Sequence, residues 1–524
     1  MRPISAGWLA VRVLLAALMV GLSAAPPARA DVTLPAVIGS HMVLQQETPI
    51  SVWGWASPGE EIEITLGEMH AKTTADAEGE WLVKLPGLSA SAEPLEMTIA
   101  GKNTIKLEDI LVGEVWVGSG QSNMQWSVAA SNNAQEEIAS ADYPKLRLFL
   151  VPLIPSGTPA KNVNARWQVC TPQTVPNFSA VSYFFGRELH KALDVPLGMI
   201  ATSWGGTRIE PWTPPAGFES QPELERERSQ IGAMQAGYQA ALKAQRDKIR
   251  TWLAAADAAA ASGQAISEPP GFPSNPFNNN GAPTGLYNGM VHPLVPFGIR
   301  GAIWYQGESN LGAGMHYHDL MKGLIQGWRT VWGQGEFPFL YVQLAPYKYG
   351  AAPTLLPEIW EAQTATLAFP NTGMAVVTDI ANTADIHPRN KQETGRRLAL
   401  WALAGTYGKN ELVYSGPLYD SMVVEDGRVR LKFRHVGGGL KSRDGKPLDW
   451  FSIAGEDKKF VPAAAEIDGE TVVVQSPQVA APVAVRFGWH QLAEPNLCNQ
   501  AGLPASPFRT DRWNDAINAE PAAE

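Results

Sequence analysis

Cysteine is nearly missing from this chain: Cys170 and Cys498 are the only two among 524 residues. So few thiols exclude a disulfide-stapled scaffold, and without a Cys/His group at ligand spacing they exclude a structural zinc site as well. Whether the two cysteines pair stays open, because separation along the chain fixes no distance in space. The sequence also has no EF-hand loop and no dense Lys/Arg run, and its formal net charge is −10. That balance argues against nucleic acid and anionic membrane surfaces as partners. Beyond residue 30 no apolar run is long enough to cross a bilayer. Aromatics, by contrast, are plentiful, with 18 Trp and 12 Tyr. Such side chains fill cores first and offer flat faces to sugar rings second.

The length exceeds what one hydrophobic core organises, which predicts two or three domains. Arg2 and Arg12 flank or interrupt an apolar run through Leu14, Leu15, Met19 and Leu22 that ends in Ala28-Arg29-Ala30. This is the pattern of a secretory signal, so 1–30 is read as a signal peptide. The mature chain then starts at Asp31 and is periplasmic or secreted, with no membrane contact after cleavage. Alternating runs at 50–55, 61–66, 80–85 and 95–100 predict an N-terminal β-domain over 31–108. From 109 to 416 strands at 111–117, 195–203, 299–305, 337–344 and 374–378 alternate with helical stripes at 179–193, 317–332 and 392–407. That rhythm predicts an α/β domain, a mostly parallel sheet covered by helices on both faces. A helix-favouring insertion at about 219–270 interrupts it and ends at Pro269, Pro270, Gly271 and Pro273. Insertions of this kind often line a cleft. Short strands then return, giving a C-terminal β-domain over 417–515 and a tail at 516–524.

In open parallel sheets, ligands bind beyond the carboxyl ends of the strands. Ser122 follows the first of them directly, after a Gly-Ser-Gly turn in which Gly118 and Gly120 permit backbone angles that other residues resist. Trp204-Gly205-Gly206 follows the second strand, Gln306-Gly307-Glu308 the third, and Asp379, Asp385 and His387 the last. A nucleophile, backbone donors, an amide, an acid and an imidazole are the parts of acyl transfer. Ser122 needs a base to attack at neutral pH, and His387 titrates in that range. Asp385 is the nearest carboxylate to orient the ring, with Glu308 second and Asp379 third. The developing oxyanion is assigned to the N–H groups of Ser122 and Gly206 and the side-chain amide of Gln306.

Four blocks carry a family resemblance: GQSNMQW at 120–126, TSWGGTRIEPW at 202–212, AIWYQGESN at 302–310 and DIHPRNKQETGRRLA at 385–399. Together they resemble the sialate O-acetylesterase family of SGNH-type hydrolases. The resemblance implies an SGNH-like three-layer α/β/α domain with β-sandwich-like domains at either end. It also implies a serine esterase without metal or cofactor, which removes O-acetyl groups from sugars through an acetyl-enzyme. Ser122 and His387 match the nucleophile and base, and Gly206 and Gln306 the oxyanion positions. Broader SGNH enzymes place Asp and His three apart, whereas Asp385 and His387 are two apart. An extended backbone there would aim both side chains to one side. The acetylated partner is either sialic acid or a plant glycan such as xylan or xyloglucan. Arg208 would meet a sialate carboxylate, Trp204 and Trp304 would stack on a neutral sugar, and Gln121 and Asn310 complete the expected contacts. A non-catalytic carbohydrate-binding protein on a decayed esterase scaffold is the alternative. The joint presence of Ser122, Gln306, Asp385 and His387 speaks against it.

Overall fold

The structure, a computed structural model, describes residues 31–513. The expected signal peptide and the tail at 516–524 lie outside the described residues. Seven strands form the sheet that matters for function, labelled here in chain order: β1 (Thr104–Gly120), β2 (Tyr143–Leu150), β3 (Trp167–Cys170), β4 (Leu197–Ser203), β5 (Gly301–Tyr305), β6 (Phe339–Val342) and β7 (Thr372–Ala375). Their spatial order is β7-β6-β5-β1-β4-β2-β3. All neighbours run parallel except β2 and β3. Every residue of β4 (LGMIATS) and β5 (GAIWY) is buried. Unbroken burial is what a strand covered on both faces shows.

Helices supply the cover. They are α1 (Ser122–Gln125), α2 (Ala180–Leu193), α3 (Glu225–Ala261), α4 (His316–Trp332), α5 (Leu355–Ala365) and α6 (Lys391–Gly405). Ser179 and Asn390 cap α2 and α6, their side chains accepting N–H groups of Ser182 and Glu393. Trp116 of β1 meets Phe185 of α2 edge-on at 5.0 Å. A Cβ on Gly373 of β7 would strike Trp401 of α6 at 2.6 Å. Trp116 and Gly373 lie on the same face, since β1, β5, β6 and β7 pair in one register. The opposite face carries Trp304 and Phe339, and Phe339 meets Trp328 of α4. The result is a mixed α/β architecture with helices on both sides of a large sheet. Its strand order turns at β1, so the crevice at the carboxyl ends of β1, β4 and β5 is where a ligand would settle.

The flanking β-regions attach differently. The first half of β1 pairs with Ser91–Ala100 and Val43–Gln45, and its second half is the centre of the parallel sheet. One strand thus crosses the expected boundary at 108, and the N-terminal strands share a continuous core with the sheet. The C-terminal strands instead enclose a core of their own, built on Val429, Leu431, Val472, Val474 and Phe487. Cys170 and Cys498 are both buried free thiols; burial pushes the Cys170 thiol up to about 12. Among the described residues no helix is long and apolar enough to cross a membrane.

Candidate active site

The site starts where β1 stops. Gly120 has φ +142°, and a Cβ there would fall 2.2 Å from the Tyr305 carbonyl oxygen of β5. Only glycine lets the two strand ends close. Gly118 corrects the expectation of unusual angles at both glycines: its φ is ordinary, and what it supplies is room, because a Cβ would lie 2.1 Å from Ser182 Oγ. The Gln121 N–H donates to Tyr305 O at 3.0 Å, and α1 then opens with Ser122. An N–H at this helix position has no carbonyl four residues back to bond.

His387 comes from the loop that leads into α6. Its Nε2 lies 2.9 Å from Ser122 Oγ. The ring stacks on Trp126, with centroids 4.8 Å apart and planes inclined by 15°. Asp385 does not sit on an extended backbone beside it. Its Oδ1 accepts the His387 backbone N–H at 2.9 Å, the turn that an Asp makes with its own chain two residues on. The same oxygen is 3.8 Å from His387 Nδ1, beyond hydrogen-bond reach, so it acts on the ring by charge. Burial lowers the His387 pKa below its ordinary value, the Lys391 cation lowers it further, and Asp385 pulls it back.

Beneath this pair lies a buried network. Asn123 Nδ2 donates to Glu308 Oε1 at 2.6 Å and to the Ile386 carbonyl at 3.0 Å, while Lys391 Nζ donates to Asn123 Oδ1. Lys391 also stands 5.1 Å from the centroid of the Tyr305 ring. Burial brings the Lys391 pKa down to about 7 and raises that of Glu308. Asn123, Lys391 and Trp126 were missed as functional residues, although each stands inside one of the four motif blocks or directly at its end. Glu308 reaches the His387 loop only through Asn123. Asp379 is held elsewhere, in a forked pair with Arg397 at 2.6 and 2.8 Å.

The turn after β4 runs alongside Ser122. A Cβ on Gly205 would come within 3.2 Å of Ser122 Cβ, and the Gly205 N–H donates to Gln125 Oε1 at 2.7 Å. Gly206 needs its φ of +75° rather than space, as nothing lies within 4 Å of where its Cβ would be. Among the described residues its N–H has no hydrogen-bond acceptor.

Four expected contacts are corrected. Gln306 is fully buried, and its amide donates to Thr207 O at 3.1 Å and to Asn310 Oδ1 at 2.8 Å. Both amide hydrogens are engaged, so it has none to offer an oxyanion. Asn310 is equally buried, accepting from the Ile209 N–H at 3.0 Å and donating to Glu210 at 3.1 Å. Gln121 is buried with Oε1 facing the N–H groups of Gly307 and Ser309 at 3.4 and 3.3 Å. Trp304 is 1% exposed, a core residue between Trp212 and Phe339. These residues brace the loops on which a site stands. Trp204, half-buried, and Arg208, exposed, are the expected contacts that solvent reaches. Among the described residues no group of three His, Cys, Asp or Glu side chains is placed to hold a metal ion.

A family model described as SASA, carbohydrate esterase, sialic acid-specific acetylesterase, matches residues 259–403. A crystal structure of a carbohydrate acetylesterase from Xanthomonas citri is 37% identical, covers 92% of this chain and 100% of its own, and superposes with a TM-score of 0.78. The chain belongs to the sialate O-acetylesterase family. It is a carboxylic ester hydrolase. The sialate O-acetylesterases of Mus musculus and Homo sapiens are each 29% identical to it over 90% of this chain, and over 93% and 91% of their own. The family segment at 259–403 holds His387, Glu308 and Lys391. In this esterase Ser122 meets His387 from outside that segment, at the end of β1.

Proposed function

We propose that this esterase removes O-acetyl groups from sugars by serine catalysis, on an SGNH-like three-layer domain of an exported protein. The observation that carries the reading is the 2.9 Å contact between Ser122 Oγ and His387 Nε2. A lowered His387 pKa leaves the ring neutral at pH 7, and Asp385 beside Nδ1 favours the tautomer whose Nε2 accepts. Ser122 Oγ attacks the acetyl carbonyl carbon as its proton passes to Nε2. The charge that forms on the carbonyl oxygen turns to the N–H groups of Ser122 and Gly206. Collapse breaks the bond to the sugar oxygen, which leaves with the proton from His387. Water then attacks the acetyl-enzyme, giving its proton to His387, and acetate departs as Ser122 regains a hydrogen. A hydrogen-bonded serine and imidazole beside open N–H groups is not what a decayed scaffold would retain.

The test is hydrolysis of 4-nitrophenyl acetate, followed by acetate release from O-acetylated sialic acid and from acetylated xylan. Ser122→Ala is expected to lose at least about 10⁴-fold in kcat while keeping its thermal midpoint. Equal rates for the two proteins reject the nucleophile.

A further inference from the structure

The long helix α3 does not lie flat on the sheet. Between its first turns and the loop after β5 is a cavity of about 620 Å³, lined among others by Arg208, Glu210, Arg226, Glu227 and His316. Its lining excludes Ser122, Gly206 and His387, but Arg208 is two residues from Gly206, and since a residue step spans at most about 3.8 Å the chain brings the cavity wall within reach of one further sugar unit. Glu227 is the feature that asks for a ligand. It is 8% exposed, its Oε1 accepts from His316 Nε2 at 3.0 Å, and its Oε2 is buried with no hydrogen-bond partner among the described residues. A carboxylate oxygen sealed away without a donor is costly, and a donor arriving from the cavity relieves it.

The charges around the cavity decide what kind of donor. Arg208 closes its fork on Glu210, with Nε and Nη2 at 3.0 and 2.7 Å from Oε1, and its Nη1 donates to Ser309 O at 3.3 Å. Its side-on Nε–Nη2 edge, the one that grips a carboxylate in a fork, is taken, and one N–H each on Nη1 and Nη2 is left among the described residues. Arg226, exposed on the first turn of α3, forms no ion pair among the described residues, and Glu227 follows it on the same helix, so the two arginines and two carboxylates of the lining balance in charge. A ligand rich in hydroxyls and without charge answers both observations.

We propose that this cavity seats a neutral sugar residue adjoining the acetylated one, whose hydroxyl donates to Glu227 Oε2. The proposal rests on the serine esterase reading and names its substrate class as a neutral acetylated oligosaccharide longer than one unit. Glu227→Ala then lowers kcat/KM for acetylated xylo-oligosaccharides about ten-fold more than for 4-nitrophenyl acetate, through KM. Glu227→Gln, which keeps an acceptor oxygen and the side-chain shape, recovers part of that loss and guards against a folding defect. Calorimetric titration of unacetylated xylotriose into each protein reads the cavity without any turnover, with binding about ten-fold weaker in Glu227→Ala. Equal losses on both esters, or unchanged xylotriose binding, overturn the proposal. So does O-acetylated N-acetylneuraminic acid as the better substrate with its KM raised by Arg226→Ala. Turnover retained by Ser122→Ala would strike the serine reading alone, since the titration stands apart from it.

Discussion

Asp385 and Glu308 bear on the His387 loop in different ways. Asp385 sits at the rim, its side chain 41% exposed, and holds the His387 backbone N–H while its charge faces Nδ1. Glu308 lies in the floor, sealed from solvent, and touches the loop only through Asn123 and the Ile386 carbonyl. Solvent screens the rim charge, so removing it perturbs the ring modestly. The floor has no solvent to repair it, so removing one member strands the others. Position of the base therefore depends on the floor, while its titration answers to burial, to the floor cation Lys391 and to the rim carboxylate.

Asn123→Ala is the heaviest blow to that contrast. It leaves Glu308 with no partner for Oε1, Lys391 without its acceptor and Ile386 without its donor. Breaking a buried charged network in this way costs about 3–5 kcal/mol of stability. With the His387 loop released, kcat on 4-nitrophenyl acetate is expected to fall on the order of 10²-fold. Urea denaturation and initial rates measure the two effects. A kcat loss no larger than that of the rim variant below would mean the floor does not position the base.

Asp385→Asn is the lighter change. An amide oxygen can still accept the His387 N–H, so the turn survives while the charge beside Nδ1 goes. Turnover is expected to drop about ten-fold, as the imidazolium loses its neighbour. Because Asp385 raises the His387 pKa, its removal lowers it, and the acid limb of kcat/KM moves to lower pH. A limb that stays in place would take Asp385 out of contact with the ring's charge.

The same contrast explains what could be read in advance. Strand ends were legible, because β4 and β5 are unbroken apolar runs stopped by polar residues and glycine. That placed Ser122, Gly206 and His387 near one crevice from their positions alone. Which way a side chain turns at a strand end is set by the neighbouring loops, and Gln121, Trp304, Gln306 and Asn310 all turn inward for that reason. Asn123 and Lys391 carried no periodic signal, since their partnership exists only once the loop before α6 passes under α1. Helix composition announced α3, but the cavity beside it needs the loop at 310–316 to close the other wall. The departure in Asp–His spacing was visible, yet its consequence was not, for a turn at Asp385 and an extended chain share the same residues.

Lys391→Met tests floor and rim at once. The Lys391 cation depresses the His387 pKa, so an uncharged side chain lets it rise, and the acid limb moves up, opposite to the shift for Asp385→Asn. Stability carries a second signature. The folded pKa of Lys391 is about 7 against an ordinary 10.5, so between those values the unfolded chain binds more protons and this group adds stability as pH rises. Below pH about 7 the buried cation is charged and its cost is fully present. The thermal midpoint of Lys391→Met relative to wild type should therefore become less favourable as pH is raised from about 6 to about 9. Two limbs displaced in opposite directions, with that narrowing gap, require the floor cation and the rim carboxylate to act on one ring. Limbs displaced together would separate the floor from the titration of His387 and leave it a purely mechanical support.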